Sequence, residues 1–168
     1  MNFRYGKKEM EYLKSRDRRL GEVIDQIGHI RWTVEPDLFS AIVQNIVSQQ
    51  ISGKAAESIL ARVVKALGEI APETVAKTDV DAFRSCGVSQ RKAEYIKDFA
   101  AKVVSGELDL DAVAKMPDAG VIATLSSLRG IGVWTAEMLL LFTLQRLDVL
   151  SYGDLGRSEE HTSELQSQ

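Results

Sequence analysis

Apolar residues recur along this chain every three to four positions, and this spacing constrains the fold more than any other feature. Leu38, Ile42 and Ile46 stand four residues apart, and each is followed by a second apolar residue. Such a pattern places the apolar groups on one face of an α-helix. No stretch alternates convincingly between polar and apolar residues, as a half-buried β-strand would. The sequence therefore predicts an all-α helical bundle with short loops.

Start and stop signals give approximate bounds for these helices. Pro36 precedes the first apolar stripe, Ser52 and Ser89 are typical N-cap residues, and Gly68 is placed as a C-terminal stop. Helices are predicted near residues 38–47, 53–67, 79–83, 90–104, 118–128 and 133–145. The last is apolar nearly all round, which predicts that it is the buried central helix.

Length and composition describe one ordinary globular domain. The chain has 168 residues, of which 45% are hydrophobic and 27% charged. It contains no apolar run long enough to span a membrane, and no apolar signal core at the N-terminus. Its one cysteine, Cys86, excludes an internal disulfide, a four-cysteine zinc site and a cysteine-ligated iron–sulfur cluster within one chain. We expect a cytoplasmic monomer with no membrane partner.

The net charge of −3 hides two basic regions. Residues 1–20 carry seven basic and three acidic side chains, and residues 84–102 carry five basic and two acidic ones. Local patches of this kind can meet a phosphate backbone although the total charge is negative. Solvated helix faces would have the same composition, so charge alone leaves both interpretations open.

A glycine turn joins the last two predicted helices. Gly130 and Gly132 allow positive φ and leave room for an approaching strand of nucleic acid, while the following helix directs its first amides toward an anion. A pattern of two glycines is weak by itself, because glycine turns between helices are common. Helices flank it on both sides and no strand precedes it, which argues against a dinucleotide-binding loop.

Four ordered motifs resemble the helix–hairpin–helix superfamily of DNA glycosylases, and within it the DNA-3-methyladenine glycosylase II family. They are IVSQQISGKAA (residues 46–56), CGVSQRKAEYI (86–96), LSSLRGIGVWTAEM (125–138) and LDVLSYGDLG (147–156). The resemblance covers residues 38–156 and is far more specific than any single motif. It implies base excision repair of double-stranded DNA that carries an alkylated base.

By this resemblance, Asp154 matches the catalytic aspartate. Loss of the base leaves an oxocarbenium-like sugar, which a carboxylate stabilises while it orients or deprotonates the attacking water. An alkylated base already carries positive charge and leaves without a strong general acid. Asp148 belongs to the same motif, and we assign it a structural role first. An aspartate in such a segment could also be an ordinary turn residue or N-cap.

Trp134 stands where bifunctional relatives have the lysine that forms a Schiff base with the sugar. An indole cannot do this, so the resemblance implies a monofunctional enzyme that leaves an abasic site. Trp134 could also stack on the extruded base, or it could be a core residue. Met138 and Leu155 fall beside the expected base pocket, where relatives have aromatic residues, so the spectrum of damaged bases stays open.

The resemblance further implies a set of DNA contacts. Gln50 matches the residue that fills the gap left by the extruded base, and Gln49 is beside it. The other expected DNA contacts are Ser52, Lys54, Arg129, Gly130, Gly132 and Thr135. A monovalent cation held by the backbone carbonyls of Ser126, Leu128 and Ile131 would bridge to a phosphate. No other cofactor is expected.

The C-terminus departs from the family. Relatives continue with further helices, whereas residues 157–168 read RSEEHTSELQSQ and resemble the translation of a sequencing adapter. We expect residues 1–156 to form a C-terminally truncated glycosylase domain and residues 157–168 to be a non-native tail. Lacking cover for its N-terminal helices, such a chain would be poorly stable and weakly active.

Other functions remain possible. A non-catalytic helix–hairpin–helix DNA-binding module would need the hairpin alone, whereas Asp154 and the QQIS segment favour an enzyme. The chain could also be an inactive truncated fragment of that enzyme. Trp134 and the single cysteine argue against a bifunctional or mismatch-directed glycosylase. A protein-interaction bundle is the least specific alternative.

Overall fold

The computed structural model describes residues 2–153, and their regular structure is helical apart from one isolated bridge between Asn2 and Thr33. This confirms the all-α prediction. The helices are α1 (Lys7–Arg16), α2 (Arg18–Ile27), α3 (Leu38–Ser48), α4 (Gly53–Leu67), α5 (Pro72–Lys77), α6 (Val80–Ser85), α7 (Gln90–Val104), α8 (Leu110–Lys115), α9 (Asp118–Ser126) and α10 (Val133–Phe142).

The predicted helix signals act as expected at several ends. Ser52 Oγ accepts a hydrogen bond from the Ala55 amide at the start of α4, and Ser89 caps α7 in the same way. Gly68 ends α4 with a φ of 81°, and its amide donates to Val64 O. These three signals mark helix ends as predicted. The last two helices end earlier than predicted, α9 at Ser126 and α10 at Phe142, since apolar residues continue beyond both ends.

The central helix is α3, not α10. Seven of the eleven residues of α3 are buried, and the helix contacts α4, α7 and α10. Along α10, by contrast, Val133 and Trp134 are 56% and 47% exposed. The prediction of a wholly buried α10 was wrong because its N-terminal turn opens onto a cleft. Periodicity alone cannot distinguish an apolar residue in the core from one that lines a binding surface.

Four helices were not predicted from the sequence. The helices α5 and α8 have six residues each, too few for an apolar stripe to stand out. The helices α1 and α2 pack on each other, and between them Gly21 alone is buried. Gly21 lies against the backbone of Lys14, whose ammonium forms a 2.6 Å ion pair with Asp25. This N-terminal hairpin is held by local contacts rather than by a shared core.

No helix within residues 2–153 is both long and apolar enough to cross a lipid bilayer. Three of the sequence predictions concern positions outside the described residues. They are the catalytic role of Asp154, the base-pocket role of Leu155 and the tail at residues 157–168.

Candidate functional site

An open cleft of about 440 Å³ lies where the end of α3, the first turn of α7 and the hairpin between α9 and α10 meet. The three elements come from distant parts of the chain, and each of them belongs to one of the motifs singled out in the sequence. The residues that line the cleft are Gln49, Gln50, Arg91, Lys92, Tyr95, Gly130, Gly132, Trp134 and Thr135.

The hairpin turn between α9 and α10 is anchored by two buried apolar residues, Leu128 and Ile131. The Ile131 amide donates to Leu128 O at 3.1 Å and closes the turn. Gly130 stands between them with a φ of 86°, and a Cβ on it would lie 2.5 Å from Tyr95 Cδ2. Glycine is therefore required here both for conformation and for space. The exposed Arg129 guanidinium lies over the Tyr95 ring, 4.9 Å from its centre.

The N-terminus of α10 faces the same cleft. Gly132 is its N-cap, in extended conformation and with open space around its Cα, so the first amides of the helix can be approached closely. The first amides of a helix lack intrahelical partners, and together with the positive end of the helix dipole they favour an anion. Trp134 follows, half-exposed, and Thr135 lines the cleft although it is buried. Met138 is half-buried one turn further on and does not line the cleft.

The turn after α3 is fixed by hydrogen bonds from two directions. Gln49 Nε2 donates to Gly130 O at 2.6 Å, and Lys92 Nζ donates to Val47 O at 2.8 Å and to Gln49 O at 2.6 Å. Burial lowers the pKa of the Lys92 ammonium, and the neighbouring positive charge of Arg91 lowers it further. Gln50 then adopts a left-handed conformation with a φ of 58°.

Ser52 and Lys54 lie beyond this turn and do not line the cleft. Ser52 is the N-cap of α4, and Lys54 is exposed in the first turn of that helix. Both therefore stand at a helix N-terminus on the surface next to the cleft, where contact with a phosphate would be sterically open.

The sequence analysis assigned no role to Arg91, Lys92 or Tyr95, although all three line the cleft. They belong to the motif at residues 86–96, and its resemblance to the family was the one signal in the sequence that could have indicated a role for them. Spacing could not show that the first turn of α7 reaches both the end of α3 and the hairpin. That proximity depends on how the helices pack.

The segment after α10 is held against the bundle by apolar packing of Leu144 and Val149 and by polar contacts. Arg146 donates to Ala114 O at 2.8 Å and to Met116 O at 3.2 Å, and it lies 3.3 Å from a carboxylate oxygen of Asp118. Ser151 is buried, and its Oγ donates to Glu137 Oε2 at 2.6 Å. The chain is thus fixed three residues before Asp154.

The carbonyls expected to hold a monovalent cation lie at the C-terminal end of α9 and in the turn that follows. Ser126 is the last residue of α9, where carbonyls lack intrahelical partners and the helix dipole favours a cation. Leu128 O accepts one hydrogen bond from Ile131, and a carbonyl oxygen has a second lone pair. The donor set of Ser126, Leu128 and Ile131 therefore fits a weakly held cation. Residues 2–153 contain no cluster of three or more His, Cys, Asp or Glu side chains suited to a metal.

Residues 43–159 match the family described as HhH-GPD superfamily base excision DNA repair protein. The chain belongs to this superfamily. The expectation drawn from the four motifs is thereby confirmed, and the hairpin between α9 and α10 is the helix–hairpin–helix that gives the family its name.

Named relatives are similar over most of this chain. DNA-3-methyladenine glycosylase 1 of Schizosaccharomyces pombe is 31% identical over 142 residues, which cover 82% of this chain and 62% of that protein. The crystal structure of a DNA-3-methyladenine glycosidase from Bacillus halodurans is 39% identical, with a TM-score of 0.76 over 93% of this chain and 73% of that one. An S. pombe 3-methyladenine DNA glycosylase in complex with abasic DNA is 29% identical, with a TM-score of 0.77 over 88% and 75%.

The chain spans 62% of the length of DNA-3-methyladenine glycosylase 1 of S. pombe and 44% of that of the Saccharomyces cerevisiae glycosylase. The matched part includes the hairpin, the cleft and the motif that contains Asp154. The substrates of those relatives therefore serve only as support for a proposal about this chain.

Proposed function

We propose that this protein is a monofunctional DNA glycosylase, a monomer that acts in the cytoplasm on double-stranded DNA carrying an alkylated base. It hydrolyses the N-glycosidic bond of bases such as 3-methyladenine and leaves an abasic site. The observation that carries the proposal is the cleft, where Trp134, the Gln49–Gln50 turn and the hairpin come together. Similarity to DNA-3-methyladenine glycosylases supports the choice of substrate class.

In this proposal Asp154 performs the chemistry. As the base leaves, positive charge develops on the sugar, and the Asp154 carboxylate stabilises that charge and activates water for attack on the anomeric carbon. The hydrogen bond between Ser151 and Glu137 supports this role, because it restrains the chain just before Asp154. The leaving base needs no strong acid when alkylation has already made it cationic.

In this proposal water is the nucleophile, because the described residues that line the cleft offer no amine without hydrogen-bond partners. Trp134 occupies the position of the Schiff-base lysine of bifunctional relatives, and its half-exposed indole can stack on an extruded cationic base. Lys92 is the one lysine among the described residues that line the cleft, and its ammonium donates to two backbone carbonyls. These contacts argue against Lys92 as a nucleophile.

The DNA would lie along the cleft, with the hairpin on its backbone. A phosphate would bind at the hairpin, beside Gly130 and Gly132, where the first amides of α10 would donate hydrogen bonds to it. Thr135 lies within the same turn. A monovalent cation on the carbonyls of Ser126, Leu128 and Ile131 would add positive charge there. Arg129 and the exposed Lys54 and Ser52 would contact phosphates on either side, and Gln50 would fill the gap left by the extruded base.

An excision assay tests the proposal. Duplexes carrying 3-methyladenine, 7-methylguanine or hypoxanthine are incubated with this chain and with its Asp154→Asn variant, and released bases are counted. We expect slow release of alkylated bases by this chain and no detectable release by the variant, since an amide cannot stabilise the cationic sugar. Asp81→Asn is the matched control, because Asp81 forms only a surface ion pair with Arg84. Binding of DNA without excision would favour a non-catalytic module or an inactive fragment.

Borohydride trapping tests the monofunctional mechanism separately. A Schiff base between a lysine and the sugar would be reduced to a stable adduct between protein and DNA. We expect no adduct during turnover with an alkylated duplex. An adduct that disappears in Lys92→Met would instead identify Lys92 as a nucleophile and reject the proposed role of water.

A further inference from the structure

Lys92 connects the first turn of α7 to the end of α3. Its ammonium donates to Val47 O and Gln49 O, which belong to the last turn and the C-cap of α3. The final carbonyls of a helix lack intrahelical partners, and a cation there also complements the helix dipole. The lysine is half-buried, so water competes less well for these carbonyls than it would at an exposed site.

Gln49 extends this connection to the hairpin. Its backbone oxygen accepts from Lys92, and its side-chain amide donates to Gly130 O at 2.6 Å. The backbone of Gln49 is therefore bound by α7, and its side chain is bound to the hairpin. Neither contact lies on the surface of a single helix, and each joins segments at least 43 residues apart in sequence.

Gln50 follows immediately, and its backbone is in a conformation that residues other than glycine rarely adopt. Its φ of 58° is unfavourable for any residue other than glycine, asparagine or aspartate. Such conformations persist only where the surrounding contacts determine them, and they concentrate at functional sites. Gln50 is exposed and lines the cleft together with Trp134. Gln49, the residue before it, is held on both sides, and this restrains the chain where it enters the left-handed conformation.

We propose that Lys92, acting through Gln49, is a positioning residue that holds Gln50 in its left-handed conformation, ready to enter the gap left by an extruded base. The same hydrogen bonds set the distance between Gln50 and the hairpin that holds the phosphate. The inference rests on the proposed function, since gap filling requires that a base leaves the duplex.

Lys97 provides a matched control within the same helix. It lies five residues after Lys92, is also half-buried, and donates to Ala76 O and Thr78 O at the end of α5. Both lysines therefore fix the C-terminal carbonyls of a neighbouring helix. Lys97 and its partners do not line the cleft.

The experiment uses a duplex with a stable abasic-site analogue opposite 2-aminopurine, whose fluorescence reports whether a side chain enters the gap. Wild type, Lys92→Met, Lys97→Met and Gln50→Ala are compared, together with the two double variants that combine each lysine change with Gln50→Ala. Methionine keeps the length of the lysine stem and removes the ammonium. Thermal midpoints are measured for every variant, and single-turnover excision of an alkylated base is measured in parallel.

We expect Lys92→Met to reduce the fluorescence response at least about twofold and the excision rate about tenfold. Combined with Gln50→Ala it should add little, because Lys92 acts through Gln50. Lys97→Met should lower the thermal midpoint by about as much as Lys92→Met does, but it should leave the fluorescence response intact. Its effect on excision should add to that of Gln50→Ala.

Two results with the variants would overturn the inference. One is a Lys92→Met response equal to that of Lys97→Met, and the other is additivity between Lys92→Met and Gln50→Ala. A wild-type protein that gives no response on the abasic duplex would also reject it. Failure of the proposed function would look different. Excision would then be absent, while the fluorescence response to the abasic duplex and its dependence on Lys92 would remain.

Discussion

At the scale of single residues, the two glycines of the hairpin have different physical roles. Gly130 has a positive φ, and its Cα lies against the Tyr95 ring. Gly132 has a φ of −93°, which any residue can adopt, and nothing lies near the position of a Cβ. The first glycine is needed for the fold, whereas the second leaves the N-terminus of α10 open to a phosphate.

Alanine substitutions separate these roles. Gly130→Ala combines a strained backbone with a clash against Tyr95, so we expect a loss of about 2–3 kcal/mol in the free energy of unfolding. Gly132→Ala should change it by less than about 0.5 kcal/mol while it weakens binding to duplex DNA. Chemical denaturation and a binding titration measure the two effects. Equal losses of stability in the two variants would contradict this assignment.

At the scale of elements, the segment after α10 depends on a few polar contacts. Within residues 143–153, Ser151 is the buried position, and its hydroxyl is paired with Glu137 on α10. Arg146 ties the start of the segment to backbone carbonyls at the end of α8, and an ion pair with the Asp118 carboxylate ties it to α9. Leu144 and Val149 pack against the core, and together with these hydrogen bonds they fix the path of the segment as far as Ser151.

Ser151→Ala therefore should affect activity more than stability. Removing the hydroxyl leaves the Glu137 carboxylate without this donor and costs about 1 kcal/mol. The excision rate should fall about tenfold, because small displacements of a catalytic group are expensive. Ser85→Ala is the control, since Ser85 Oγ donates only to Ala82 O within its own helix. Unchanged excision by Ser151→Ala, at matched stability, would show that this contact has no part in positioning Asp154.

The elements also show how far sequence reasoning reaches. Caps such as Ser52 and Ser89 were predictable because they act over three residues, and the hairpin was predictable from its glycines and its resemblance to a known family. The sequence did not predict that α3, and not α10, is the central helix, because apolar residues occur both in the core and along the cleft. The contacts of Lys92 join segments more than 40 residues apart, and no local pattern encodes such packing.

At the scale of the whole molecule, the distribution of charge matters more than its sum. The chain has a net charge of −3, and residues 157–168 account for −2 of it. Around the cleft the balance is reversed, because Arg91 and Lys92 line it and Arg129 stands at its rim. Exposed charges interact over roughly 10 Å at moderate salt, so a phosphate near the hairpin experiences these cations and little of the distant acidic surface. An acidic protein can thus present a basic DNA-binding face.

The salt dependence of DNA binding tests this distribution. The exposed Arg129 guanidinium lies over the Tyr95 ring at the edge of the cleft, a place from which it can reach a phosphate. Each cation that neutralises a phosphate contributes about one released counterion to the salt dependence of the binding constant. Arg129→Ala and Arg91→Ala should therefore each reduce the slope of log K against log salt by about one. Arg84→Ala, which removes a cation already paired with Asp81 on the surface, should leave the slope unchanged. If all three variants had the wild-type slope, the DNA would have to bind on another face of the molecule.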